Sequence, residues 1–338
     1  MDILTTQVAI AGIIFVTFLW GSWFQTVKHL GNFPVHAFIS IMYGISVIIV
    51  WAAIGLLGKQ MIPSGIFAEI KSSPGLTLAI LGCGIVFGIA MQMHLTVVKR
   101  IGLILSTSVS ATCAILGGTI ISVLFAGIPE GVSVASLFAA SVLLILATIT
   151  CQYAGVCRDR EKQKADEQQK SDEKQQSRTQ DILLLAFINL ILMSSYPLAN
   201  SIGLRSALNP DGFSSLTCMG ILVIGAFAGS ASFTLILLCR QKESIAKVMV
   251  LIPSGKLLML ASIAAFCHFG GNVLHAIFAP VVSVAIATVI GNSYHCWSYI
   301  WGMIYGEFKG TSKKTKGILL GGIVLFVAGV ILISVNSV

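Results

Sequence analysis

The sequence predicts an all-α membrane protein whose ten transmembrane helices form a 5+5 inverted repeat. Three observations carry that expectation. Hydrophobic residues are 56% of the chain and charged ones 10%, whereas a soluble domain carries about a quarter charged residues. The apolar residues gather into ten runs of about 20, the length that crosses a bilayer. One charged stretch, Cys157 to Gln180, separates five of these runs from the other five. The chain therefore divides into a first five-helix repeat (1–156), a charged linker (157–180) and a second five-helix repeat (181–338).

The runs place helices at about 7–28, 36–57, 77–98, 101–123, 133–155, 181–203, 214–238, 256–278, 281–303 and 316–336. No basic region precedes the first helix, so it reads as an uncleaved insertion signal. Turn chemistry marks most of the breaks. Gly31-Asn32-Phe33-Pro34 follows helix 1, Ser72-Ser73-Pro74-Gly75 precedes helix 3, and Lys99-Arg100 parts helices 3 and 4. Gly127-Ile128-Pro129-Glu130-Gly131 closes helix 4, Asn209-Pro210-Asp211-Gly212 closes helix 6, and Pro280 parts helices 8 and 9. The linker is too densely charged for hydrocarbon and reads as solvated and partly helical.

Positive charge sets the orientation. Eighteen Lys and Arg fall on one side of the ten-helix scheme; three, Lys59, Lys71 and Arg205, fall on the other. Basic loops stay cytoplasmic, so the linker lies inside and both termini outside a cell (inner or plasma) membrane. The net charge of +8 is explained by those loops, and no nucleic-acid motif accompanies it. The eight cysteines are scattered without a C-x-x-C pair and read as small buried side chains. G-x-x-x-G pairs at Gly84/Gly88, Gly225/Gly229, Gly302/Gly306 and Gly317/Gly321 allow close helix approach, which says bundle and nothing about a solute.

The halves resemble each other. Gln92 and His94 near the end of helix 3 answer to Asn272 and His275 near the end of helix 8. Trp20-Gly21-Ser22-Trp23 in helix 1 answers to Ser194-Ser195-Tyr196-Pro197 in helix 6. An odd number of helices per half inserts the second half upside down, a pattern of secondary transporters that bind at the midplane.

No carboxylate lies deep in any predicted helix. The interior polar groups are amides, hydroxyls, imidazoles and indoles, which suit a small neutral polar solute. Candidate solute-binding residues are Trp20, Trp23, Gln25, Gln92, Ser110, Tyr196, Asn200, Asn272, Asn292 and His295. His268, His275 and His295 are the candidates for proton coupling, because histidine alone among these titrates near neutrality. A bland reading stands beside each: a buried hydroxyl commonly bonds its own helix, and Trp20, Trp23 and His94 could form an interfacial belt.

Certain stretches resemble the drug/metabolite transporter superfamily, in its branch of ureide permeases, rhamnose–proton symporters and glucose/ribose uptake proteins. They are Trp20-Gly21-Ser22-Trp23, Gly31-x-Phe33-Pro34-x-His36, Cys267-x-Phe269-Gly270-Gly271-Asn272, and Trp301-x-x-x-Tyr305-Gly306-Glu307 followed by Thr311-Ser312-Lys313-Lys314-Thr315. The last is most like ureide permeases. The resemblance spans the chain through short motifs. It implies a carrier, often proton-coupled, for a sugar or for a ureide or nucleobase. The chain departs from it in having Pro129-Glu130 where a Gly-Glu step is expected, and no phosphate-binding loop. The expected partners are a small-molecule solute, protons or another coupling ion, the bilayer, and a second copy of the chain in a homodimer. No cofactor, metal or enzymatic activity is expected. The competing reading is an exporter of the same superfamily.

Overall fold

The structure, a computed structural model, describes residues 5–101, 103–128, 133–163, 173–241 and 254–335. Glu130, Lys242, Lys247 and the centre of the charged run lie outside these. Nine helical stretches among the described residues are long and apolar enough to cross a membrane, and no strand occurs among them. Their outward side chains are apolar: Leu56 is 80% exposed, Leu124 71% and Phe138 70%. Water would penalise that surface and hydrocarbon accepts it.

Helix α1 (Thr6–Val27) starts at Thr5, whose hydroxyl accepts the Val8 N–H at 3.3 Å, an N-cap that satisfies an otherwise orphaned donor. Helix α2 (Val35–Met61) follows Pro34, and a short α3 (Ile66–Ser72), not foreseen from hydropathy, precedes α4 (Pro74–Ile101). Pro74 opens α4, where a missing N–H costs nothing. Helix α5 (Leu103–Ala126) ends at Gly127, whose φ of 74° suits glycine at a helix stop. Helices α6 (Val134–Gln163) and α7 (Glu173–Phe187) run into the charged stretch from both sides.

Beyond it, regularity fails in three places. Helix α7 leads through a π turn, Ile188–Leu192, into α8 (Ser195–Gly203). Helix α9 (Ser215–Gln241) is regular. Helix α10 (Gly255–Ala265) leads through a second π turn, Phe266–Gly270, into α11 (Gly271–Val282). The expected helix at 281–303 is split into α12 (Val284–Gly291) and α13 (His295–Ile304) by a 3₁₀ turn, Asn292–Tyr294. This break is why nine stretches rather than ten reach spanning length. Helix α14 (Lys313–Val335) completes the chain.

Two of the four G-x-x-x-G pairs meet one another. An added Cβ on Gly84 would come within 3.0 Å of Gly225 Cα, one on Gly88 would run into the Ala226 carbonyl, and one on Gly229 into the Ile85 carbonyl. So α4 and α9 pack backbone to backbone, the geometry small residues permit in a bilayer. A Cβ added to Gly317 or Gly321 of α14 would meet nothing from another segment within 4 Å.

Ion pairs tie the bundle at both ends. At one end Glu307 takes Lys28 at 2.8 Å and also Arg158. Beside them Glu161 accepts the Ser312 N–H at 2.7 Å and the Thr315 hydroxyl at 2.6 Å, closing the N-terminus of α14. The Thr311-to-Thr315 motif is thus a helix cap. At the far end of α2, Glu69 is buried, pairs with Arg205 at 3.0 Å and accepts the Ser214 N–H and hydroxyl.

Candidate functional site

The three irregular turns have local causes. Pro197 has no N–H, and its ring excludes the Met193 carbonyl four residues back; just before it the Met193 N–H bonds the Ile188 carbonyl at 2.8 Å and closes the π turn. Gly270 closes the second π turn and Gly271 follows it, and Gly291 precedes the 3₁₀ turn at Asn292. Such interruptions leave backbone groups and side chains re-aimed, and they concentrate at functional positions.

All three turns face one cavity of about 70 Å³. Asn189 comes from the first, with Met193, Ser194, Tyr196 and Pro197 just beyond it; His268 comes from the second, with Asn272 just beyond it; Asn292 and Tyr294 come from the third. Helix α1 adds Trp20, Trp23 and Phe24, α4 adds Phe87 and Met91, and α5 adds Ala114. Among the described residues, no charged side chain lines it.

Aromatic rings form most of the wall. Trp20 meets Tyr196 edge to face at 5.8 Å and Tyr294 at 6.1 Å. Its indole N–H donates to the His268 carbonyl at 3.2 Å, on the second π turn. The indole also lies against two glycines: a Cβ on Gly271 would come within 2.7 Å of it and one on Gly291 within 2.9 Å. Only glycine at these positions lets α11 and α12 close on Trp20. Phe87 stacks on the His268 ring at 5.9 Å and 14°. Trp23, Tyr43 and Phe269 also surround that imidazole.

Three amides stand among the rings. The Asn292 Nδ2 donates to the Ala114 carbonyl at 2.9 Å. The Asn189 Nδ2 is 2.8 Å from the Leu185 carbonyl and 3.2 Å from His94 Nδ1. Asn272 differs. It is buried, and its Nδ2 has no acceptor among the described residues; His268 Nδ1 likewise has no partner among them. A buried polar atom left unpaired is costly, and two such atoms border this cavity.

Of the expected solute-binding residues, Trp20, Trp23, Tyr196, Asn272 and Asn292 line the cavity, and of the expected proton carriers His268 does. The rest stand elsewhere. Gln25 is buried on α1 away from the lining. Gln92 points into the junction of α2, α4 and α9. Ser110 lies 3.5 Å from His94 Nδ1. Asn200 is fully buried, off the cavity. His275 sits behind Trp20, 3.4 Å from the Tyr196 hydroxyl, and His295 stacks on Tyr294 at 4.1 Å from the rear. The interfacial alternative fails for three residues, because Trp20, Trp23 and His94 are all buried. Asn189, which spacing aligns with Tyr196 on one helix face, also lines the cavity; Phe24, Phe87 and Tyr294 line it without having been singled out, and Pro197 and the Gly-rich steps are the sequence signals that would have pointed to their neighbourhood.

No protein-family model matches the sequence, and no curated protein matches it. The chain is similar in fold to a protein of solved crystal structure, 13% identical, with a TM-score of 0.62 over 95% of this chain and 94% of the other. At that identity the likeness concerns architecture alone. Fold and site together define an all-α integral membrane protein with a cavity of aromatic and amide character at its helix breaks.

Proposed function

We propose that this chain is a secondary carrier for a small neutral polar solute with a flat face, of the ureide, nucleobase or sugar kind. The observation that carries the reading is the cavity at three helix breaks, walled by rings and presenting the unpaired Asn272 amide and His268 ring nitrogen. Discontinuous helices around a central site are how membrane carriers expose polar groups without leaving backbone bare to lipid. Rings stack on a flat solute, and amides bond its edge. Stacking favours a ureide or nucleobase over a sugar.

Packing supports a two-repeat reading. Helix α1 packs on α11 and α13 of the second half, and α8 packs on α4 and α5 of the first. The same exchange is expected of two five-helix units related by inversion, as in the drug/metabolite transporter superfamily that the motifs resemble. The cavity of about 70 Å³ holds a few waters and is smaller than a pocket filled by a drug-sized ligand, so solute entry requires the lining to part. Alternating access would then open one end at a time. The basic end, with Lys28, Arg158 and Lys309, is the cytoplasmic one by the positive-inside rule. An exporter of lipophilic cations fits less well, because no carboxylate lines the cavity among the described residues. His268 is the residue through which proton coupling would act.

The test is thermal stabilisation of the detergent-solubilised protein against allantoin, uracil, xanthine, rhamnose, glucose, ribose and a lipophilic cation. A ligand that binds only the folded state raises the melting temperature once its concentration exceeds Kd. A shift with a ureide or nucleobase, lost in Asn272→Ala, is expected. A response to the lipophilic cation alone would sink the neutral-solute reading.

A further inference from the structure

At the basic end of the bundle a groove of about 330 Å³ runs between the end of α13 and the start of α14. Its two ends differ. Lys309 and Lys316 stand at one, in the connecting turn and the first turn of α14. Met303, Phe308, Leu320 and Ile323 wall the rest. Ile323 is seven residues beyond Lys316, so the apolar part reaches about 10 Å deeper along the helix at ~1.5 Å per residue. The groove opens on the outer surface, where Leu320 is 62% and Met303 41% exposed. The two lysines are surplus charge. Among the described residues neither has an ion-pair partner. The carboxylates around them are engaged: Glu307 with Lys28 and Arg158, Asp159 with Arg158, and Glu161 with the cap of α14. Lys309 is also held in place. Its turn runs from Gly306 to Gly310, at φ 71° and 80°, and a Cβ on Gly306 would come within 3.1 Å of its aliphatic stem. The exposed Tyr305 lies at the same end, its ring centroid 5.0 Å from Lys28 Nζ. An aromatic ring so placed marks headgroup depth.

We infer that this groove binds one anionic phospholipid, its phosphate between Lys309 and Lys316 and an acyl chain along Met303, Leu320 and Ile323. Hydrocarbon fills an apolar groove on a membrane-facing surface without the penalty that water would incur. Two unpaired ammonium groups beside one groove repel each other, and a phosphate between them reverses that repulsion. A zwitterionic head would bring a third cation to the same place, so a net negative head is preferred. Basic pockets between membrane helices on the cytoplasmic side recognise anionic headgroups in this way, and the positive-inside rule puts these lysines on that side. The site lies on the outer surface, apart from the cavity, and does not rest on the carrier reading. It adjoins the tie at this end: Arg158, which pairs with Glu307, lies 5.0 Å from the ring centroid of Phe308 in the groove wall. An occupied groove therefore braces that tie, and lipid binding should register as stability.

The test follows the melting temperature of the purified full chain in a neutral detergent as phosphatidylglycerol or phosphatidylcholine is added, with glycerol phosphate as an arm that has the phosphate and no acyl chain. A saturable rise with phosphatidylglycerol, small or absent with the other two, is expected. One lysine near an anionic headgroup is worth about fivefold in affinity. Lys309→Gln and Lys316→Gln should therefore each raise the half-saturating fraction of phosphatidylglycerol about fivefold, and the double variant should lose the preference over phosphatidylcholine. Both side chains are exposed, so the variants should melt like the native chain without lipid. Lys313→Gln, on the same helical turn but outside the groove, should leave the lipid response as it is. No rise with phosphatidylglycerol, or an equal rise with phosphatidylcholine, overturns the site. An equal rise with glycerol phosphate overturns it in favour of a free-anion site, and a loss in Lys313→Gln as large as in Lys316→Gln reduces it to general surface charge.

Discussion

Asn272 and Asn292 look alike in sequence and differ in bonding, and the difference has measurable consequences. Asn292 spends its amide protons on the Ala114 carbonyl, so Asn292→Ala should destabilise the solute-free protein by about 1 kcal/mol. Asn272 has an unpaired Nδ2, so Asn272→Ala should leave solute-free stability unchanged or slightly raised while removing stabilisation by the solute. Equal losses in both variants would place Asn272 among structural amides. Glu307 carries a prediction for pH. Burial would raise its pKa, but the hydrogen bonds and charges of Lys28 and Arg158 outweigh burial and hold it below the ordinary glutamate value. A depressed carboxylate stabilises fully above its unfolded pKa, about 4.3, and loses that contribution as pH falls through the folded value. Melting temperature should therefore fall more steeply below about pH 4.3 in the native chain than in Glu307→Gln. With a third of the side chain exposed, the effect should stay under about 1 kcal/mol. Parallel curves would show that the pair contributes nothing to folding.

Among the elements, the α4–α9 pair has the least slack. A side chain at Gly88 would displace backbone rather than a movable side chain, so Gly88→Leu should cost at least ~3 kcal/mol and deplete the folded monomer in size-exclusion chromatography. Gly317→Leu on α14 meets open space and should leave the elution profile and melting temperature as they are. A benign Gly88→Leu would mean that α4 and α9 are not in contact. Around Trp20, Gly291→Val should push the indole from its seat and abolish the solute response with only a modest loss of stability.

The whole molecule has a tie at each end and a cavity between. Glu69 with Arg205 and Ser214 joins α3 to the second half, and Glu307 with Lys28 and Arg158 joins the second half to α1 and α6. If the halves rock, releasing one tie should bias the bundle toward opening at that end. In a background without other reactive thiols, Ser194→Cys on the cavity should react several-fold faster with an impermeant thiol reagent from the Glu69 side in Glu69→Gln. From the opposite side it should react faster in Glu307→Gln. Identical rates in both variants from both sides would speak against end-gated access.

Properties that add up locally along the chain were legible in the residues alone: which stretches are helical, that they suit a bilayer, and that Gly84/Gly88 and Gly225/Gly229 invite close contact. Membership of the cavity was half legible. Spacing aligned Asn189 with Tyr196, and His268 with Asn272, because both pairs share a helix. It could not say that Gln92 turns to α2 and α9 while Met91 turns to the cavity, because α4 and its neighbours are apolar on every side and no face is marked for the interior. The rotation of each helix about its axis, the meeting of three separate breaks at one point, and the pairing of Glu69 with Arg205 across the halves arise from packing between segments far apart in the chain. Those decisions belong to the tertiary structure, because an amphipathic stripe, the local cue that orients helices in water, is absent when the solvent is hydrocarbon.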